Sequence, residues 1–353
     1  MNRRIPFEKS ELKVVGEMPG LFGGPPSPIR DVPLSSKENV AAMYFDKHPY
    51  WMVTMSDSGF FFPDLYNMKL GRGNLLGGGT TDVFGLVWEW VEIAQGSIVH
   101  PGAPLLANAN EWKDKIVMPD IDSWDWAGEA ERTPLDKSLS NQFSFVNGFW
   151  FERLISFMDF EGAAMALIDE DQKPAVHEIF AAMTDLACKL IDKFCTYWPG
   201  IDGFQIHDDW GAQKAPFFSQ EVAYEMFVPY MKTLTDYIHS KGRFSSLHSC
   251  GHNEERIQTF IDGGFDQWTP QDMNDYHKLY KEFGDKIILA VVPDKFDPAT
   301  TSEAEQRERA RAFVDEYSQP GKPANTDFYA LWAFTPVFAD EVYEYSRKKY
   351  LQM

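Results

Sequence analysis

From about residue 142 the chain alternates between short apolar runs and longer stretches with helical spacing. Phe143-Ser144-Phe145-Val146 reads as a strand. Pro174 to Phe194 reads as a helix, with apolar residues at 176, 179, 180, 183, 187, 190, 191 and 194 recurring at three- and four-residue steps. Gly203 to Ile206 is the next strand. A helix then runs from Ser219 as its N-cap to Gly242 as its stop, bent at Pro229. Arg243 to Leu247, Phe265 to Trp268 and Lys286 to Val292 read as further strands, with helices over Asn253 to Asp262 and Asp275 to Phe283 between them. Ser302 and Glu305 mark the start of another helix as a capping box. Ala324 to Leu331 offers a last strand and Pro336 to Tyr350 a last helix.

The first part of the chain is less regular. Residues 1–45 read as an extended arm, broken by Gly20 to Pro28 and ending in a helix from Ser36 to Phe45. Trp51 to Met55 is the first credible barrel strand. Residues 56–140 are irregular and aromatic, a decorated access region without the pattern of an independent domain. Strands that are apolar throughout, alternating with helices, fit a parallel sheet buried on both faces. This predicts an α/β chain folded as a single (β/α)8 barrel, residues 46–353, behind an N-terminal arm over residues 1–45. An open doubly wound sheet is disfavoured, because no Gly-x-Gly-x-x-Gly follows the first strand. Gly71-Arg72-Gly73 and Gly77-Gly78-Gly79 precede no helix and read as loop.

Composition narrows the partners more than the fold. The net charge is −20, which disfavours nucleic acid and an anionic membrane as binding surfaces. The charge favours solubility first, and a basic partner second. Three cysteines, Cys188, Cys195 and Cys250, are too few for a disulfide scaffold and suit a reducing compartment. Cys188 and Cys195 lie among Leu186, Leu190 and Phe194 and read as inert core thiols. Met1-Asn2-Arg3-Arg4 is followed by no apolar stretch, and no run approaches a membrane span, so the expectation is a cytoplasmic protein.

In a barrel the working residues sit on the loops that follow the strands. That rule selects His207, Asp208, Asp209 and Trp210, then His248, Cys250 and His252, then Thr269, Gln271 and Asp272, then Asp294, and finally Asn325, Asp327 and Tyr329. An isolated Asp in such a place is usually a helix cap. Two adjacent Asp after a buried strand are less easily dismissed, and one of them is expected to face the cavity. His248 and Cys250 are two apart at a strand end, which puts an imidazole and a thiol on one face. Packing is the bland reading of that pair; metal binding is the sharper one. A catalytic zinc takes at least three protein ligands, and Asp208, Asp209, Glu89 or Asp327 would complete the set. The 11 Trp and many front-half aromatics, Trp88 and Phe84 among them, offer stacking surfaces for a flat substrate.

Several segments together resemble the uroporphyrinogen decarboxylase superfamily, over roughly residues 36–350. They are Ser36-Lys37-Glu38-Asn39, Asp82-Val83-Phe84-Gly85-Leu86-Val87-Trp88-Glu89, Phe151-Glu152-Arg153-Leu154, His207-Asp208-Asp209-Trp210-Gly211-Ala212-Gln213 and Leu247-His248-Ser249-Cys250-Gly251. The resemblance implies a (β/α)8 barrel. The decarboxylase branch carries an N-terminal Arg-Gln-Ala-Gly-Arg segment, to which nothing here corresponds. The other branch consists of corrinoid-dependent methyltransferases in which a His-x-Cys pair binds zinc, matched by His248 and Cys250. Thiol-methylating members carry a second cysteine near the barrel's end, where this chain reads Ala324-Asn325-Thr326-Asp327-Phe328-Tyr329.

The resemblance therefore implies a zinc-assisted methyltransferase moving a methyl group from a small methylated substrate, with a methyl ether (an aryl one included) favoured, to a corrinoid carried on a partner protein. His248, Cys250 and Asp327 are the expected metal residues. His207, Asp208 and Asp209 are the expected catalytic ones, with Asp208 or Asp209 open as third ligand or proton donor. Trp210, Trp88, Phe84 and Tyr329 are expected to line the substrate. The rivals are a metal-free decarboxylase and a non-catalytic barrel that binds a corrinoid protein.

Overall fold

A computed structural model describes residues 5–18, 27–71, 80–92 and 96–353. The glycine-rich stretches at 20–26, 72–73 and 77–79 lie outside the described residues. The architecture is α/β, a barrel of the TIM kind in which helices flank parallel strands, as the alternation of the sequence predicts.

Along the chain the elements are β1 (Val14–Met18), β2 (Ser27–Arg30), α1 (Ser36–Asp46), β3 (Ser58–Phe60), α2 (Asp64–Lys69), β4 (Thr80–Thr81), β5 (Val87–Val91) and β6 (Gly96–Val99). There follow α3 (Trp112–Lys115), α4 (Trp126–Arg132), β7 (Ser140–Phe145), α5 (Phe151–Ala166), α6 (Lys173–Tyr197), β8 (Gly203–His207), α7 (Gln220–Met226), α8 (Val228–Ser240) and β9 (Phe244–His248). The chain finishes with α9 (Ile257–Asp262), β10 (Gln267–Thr269), α10 (Tyr276–Phe283), β11 (Ile288–Ala290), α11 (Glu303–Tyr317), β12 (Ala324–Asn325) and α12 (Pro336–Gln352).

Contacts divide the chain into two compact units. The first comprises residues 1–59, 136–141 and 266–353. In it β10, β11 and β12 pair in parallel, and Val53 makes a parallel bridge to Asn325. Trp51 to Met55 is thus reduced to a single bridge. The last strand stops after two residues because Asp327 turns inward as the cap of a 3-10 helix over Phe328–Ala333. The N-terminal arm is not merely extended. β1 and β2 form an antiparallel hairpin, and buried Arg347 of α12 grips Glu11 at 3.1 Å through its Nε.

The second unit comprises residues 60–135 and 142–265 and carries residues 142–145 of β7 with β8 and β9, paired in parallel. Its core is aromatic. Phe143 stacks on Phe194 with ring centroids 4.0 Å apart, and Tyr66, Phe145, Trp126 and Trp198 close around them. The predicted helix over 219–242 is two helices, since the ring of Pro229 cannot continue the ladder of α7 and instead opens α8. Ser219 caps the first by accepting from Val222 N–H, and Ser302 caps α11 in the same way through Glu305 N–H. Cys188 and Cys195 lie on α6, half-buried and not in the core; burial pushes the Cys188 thiol up to about 11 and raises that of Cys195.

The three turns that follow β7, β8 and β9 approach one another closely enough to demand glycine. A Cβ on Gly148 would fall on the carbonyl of His207. A Cβ on Gly251, which sits at φ +95°, would fall on the backbone of Gly211. Gly242, at φ +67° after α8, has open space around it. Gly251→Ala should therefore cost about 3 kcal/mol or more, from backbone strain plus the displaced turn. Gly242→Ala should cost about 1 kcal/mol, from strain alone. Urea unfolding of the two variants side by side checks this; equal losses would show that the turns do not meet as described.

Candidate metal centre

The turns after β8 and β9 are stitched together atom by atom. Asp208 N–H donates to His248 O at 3.1 Å, extending the strand ladder by one residue. Cys250 N–H donates to Asp209 Oδ1 at 2.7 Å, Trp210 N–H to Ser249 Oγ at 3.1 Å, and His252 N–H to Ala212 O at 2.8 Å. Buried Asn253 holds the second turn from below, donating to Cys250 O at 2.7 Å and Ser249 Oγ at 3.2 Å.

This stitching gathers four donor side chains. His207 and His248 are opposite each other in the parallel register, their rings 4.7 Å apart. His248 Nε2 lies 3.2 Å from Cys250 Sγ. Ligand atoms of His207, Asp209, His248 and Cys250 all lie within 4.8 Å of one another. Two imidazoles, a thiol and a carboxylate at that spacing are a donor set for a borderline divalent ion, and zinc takes all three donor types. In a tetrahedral zinc site a nitrogen and a sulfur ligand stand about 3.6 Å apart, so the observed pair needs to open only slightly.

The adjacent aspartates divide the work. Asp208 is fully buried and points away from the donors, toward the start of α5. It accepts from Glu152 N–H at 2.9 Å, Phe151 N–H at 3.2 Å and Trp210 Nε1–H at 2.7 Å. Burial, reinforced by the Glu152 carboxylate, pushes its carboxyl up to about 7 against the pull of those three donors. Asp209 faces the other way, into the donor group.

Glu152 is the residue that strand-end reasoning did not single out. Its Oε2 lies 2.8 Å from His207 Nδ1 and accepts from Gly148 N–H at 3.2 Å. A carboxylate on one ring nitrogen orients a metal-binding histidine and raises its basicity. The available signal was its place: the second residue of the helix that follows the Phe143 strand. Its neighbour Arg153 turns elsewhere, buried against Leu70 O at 2.6 Å and Asp82 Oδ2 at 3.4 Å.

Trp210 is fully buried among Phe218, Phe227 and Phe260. Trp88 is buried with its indole N–H on Asp82 at 3.1 Å, and Phe84 lies on Phe157 and under Arg153. Asp327 and Tyr329 belong to the first unit. There Asp327 Oδ2 accepts from Thr269 Oγ1 at 3.2 Å, burial raises its carboxyl, and Tyr329 Oη meets Gln271 Nε2 at 3.2 Å. A cavity of about 470 Å³ in that unit, lined by Arg30, Trp51, Asp57 and Tyr343 among others, contains none of the four donors.

No family model matches the chain, and neither does any curated protein. Solved structures do. A methyltransferase from Methanosarcina mazei aligns at a TM-score of 0.50 and 12% identity, over 89% of this chain and 84% of that one. Xylanase B from Clostridium stercorarium F9 aligns at 0.32 and 10% identity, over 54% and 67%. An endo-beta-1,4-xylanase from Gloeophyllum trabeum aligns at 0.33 and 10% identity, over 61% and 76%. The first likeness shows a shared fold.

Two predictions follow from the geometry. Zinc or cobalt(II) should bind at about one ion per chain, and Cys250→Ala or Asp209→Asn should remove it. Imidazoles and thiol must lose protons to ligate, so affinity should fall at least about tenfold per unit as pH drops below the ordinary thiol range of about 8.5. Cobalt absorbance from the thiolate reads this directly; affinity indifferent to pH would mean that Cys250 is not a ligand. Separately, Glu152→Gln should weaken the metal about 10–100-fold without changing the stoichiometry at saturation. An unchanged dissociation constant in chelator competition would leave Glu152 with a purely structural role.

Proposed function

We propose that the protein is a zinc-assisted methyltransferase of the corrinoid-linked branch of the uroporphyrinogen decarboxylase superfamily. It would move a methyl group between a small methylated substrate and a corrinoid carried by a partner protein. The observation that carries this reading is the four-donor group at the carboxyl ends of β8 and β9, where barrel enzymes keep their chemistry. The shared fold with a methyltransferase is consistent with it. Zinc would be held by His248 and Cys250, with Asp209 and His207 completing the set; Asp327 is then a cap of its own unit.

When bound, zinc would supply a Lewis acid for the heteroatom that carries the methyl group, taken as a fifth ligand or in place of one of the four donors. The protein's own residues do the rest. Glu152 fixes the ring of His207. Cys250 N–H fixes the carboxylate of Asp209. Asp208, pushed up to about 7, holds the turn and the start of α5 in place. One thiolate among nitrogen and oxygen ligands makes a harder centre than a thiolate-rich one, and that favours an oxygen substrate. A methyl ether is accordingly the preferred donor.

The test is direct. Zinc-loaded protein, a reduced corrinoid protein and a panel of methyl ethers, methylamines and methyl thiols should convert cobalt(I) to methylcobalt(III), followed by absorbance, with ethers fastest. His248→Ala should lower the rate at least about 100-fold. Release of carbon dioxide from a carboxylated compound, with no methylation of any corrinoid, would replace this reading with a decarboxylase.

A further inference from the structure

Below the donor group, the inner faces of its strands are polar. Exposure alternates over residues 143–145 of β7 and 204–207 of β8. Phe143, Phe145, Phe204 and Ile206 are buried, while Ser144, Gln205 and His207 keep partial exposure. The buried set meets α6: Phe143, Phe145 and Phe204 all contact the ring of Phe194. Side chains of a strand alternate between faces, so Ser144 and Gln205 share the face of His207, away from α6. In the parallel register Ser144 stands beside Gln205 and Gln205 beside Ser246. His207 and His248 form the level above, about 7 Å along the strands. Ser144 Oγ donates to Gln205 Oε1 at 2.9 Å. Ser246 Oγ is fully buried and has no hydrogen-bond partner among the described residues. Branched apolar side chains ordinarily fill these positions of a barrel.

We infer that Ser144, Gln205 and Ser246 form a subsite that anchors the far end of the substrate, and that this end is a neutral hydroxyl or amide. The inference rests on reading the donor group as the place of methyl transfer and adds which substrate it takes. A hydroxyl both donates and accepts, as a Ser–Gln–Ser row requires. The row holds no cation, and the carboxylates of Asp209 and Glu152 belong to the level above. A carboxylate end would therefore be desolvated without a counter-charge, and a purely apolar end would leave the Ser246 hydroxyl unmet. The separation of the two levels suits a substrate whose methyl-bearing oxygen and polar end lie across a ring from each other.

Three probes of one shape test this on the zinc-loaded protein by calorimetry: 4-methoxyphenol, 4-methoxybenzoate and 4-methylanisole. The phenol should bind about tenfold or more tightly than the other two. Gln205→Leu and Ser246→Ala should each erase that preference while zinc content and the circular dichroism spectrum stay unchanged. Ser144→Ala, a milder change, should reduce it. Equal binding of the three probes, no binding of the phenol at millimolar concentration, or a preference that survives both substitutions overturns the subsite, even in a protein that methylates a corrinoid. A preference that depends on Gln205 in a protein that transfers no methyl group keeps the subsite and sinks the methyltransferase reading.

Discussion

The close approach of the turns after β8 and β9 is the constraint on which the rest of the site depends. Gly251 lies against the backbone of Gly211, and Asp209 reaches across to the amide of Cys250 at 2.7 Å. Any side chain at Gly251 would push the two turns apart. The four donors come from both turns, so separation by one ångström would undo their convergence. The third turn enters through Gly148, which lets β7 draw close to the end of β8 and brings Glu152 within 2.8 Å of His207. Backbone geometry comes first here, and the chemistry of the side chains is its consequence.

The same constraint explains why two adjacent aspartates have opposite roles. Consecutive residues leaving a strand point to opposite sides. Asp208 goes toward the helices, where the orphan N–H groups at the start of α5 need an acceptor. Asp209 goes toward the donor group. Three donors favour an ionised Asp208, but full burial and the nearby Glu152 carboxylate weigh more, and its carboxyl rises to about 7. An acid with that pKa is often taken as a proton donor in catalysis. Its contacts here are two backbone amides and a core tryptophan, which makes it a structural element of the site's frame.

Much of this was legible in the chain. Apolar runs ending in His207-Asp208-Asp209 and in His248-Ser249-Cys250 located both turns, and barrel logic put their side chains on one rim. The boundaries were less legible. Trp51 to Met55 has the composition of a strand but keeps one bridge, and Ala324 to Leu331 gives way to a cap at Asp327. Both depend on tertiary partners that local pattern does not encode. The aromatic residues misled in a different way. Trp210 and Trp88 sit beside site residues in the sequence, yet their indole N–H groups find buried aspartates, and their rings fill the core. Glu152 was visible only as one letter of a resembling segment, because its role is set by a histidine 55 residues away.

The charge at the centre links these details to the choice of substrate. A dication held by one thiolate, one carboxylate and two neutral imidazoles would be formally neutral, so under the proposed reading it would gain little from an anionic substrate and would accept a neutral ether oxygen without a charge penalty. The carboxylate of Glu152, outside the donor group, tilts the local field against anions, and Arg153, the nearest cation in sequence, is already engaged with Asp82 and Leu70. The polar row of Ser144, Gln205 and Ser246 carries no charge at all. Under the proposed reading, donor set and inner strand face thus argue in the same direction, toward a neutral, hydrogen-bonding molecule between the donor group and the strands. A carboxylated substrate would meet the opposite of what it needs at both levels.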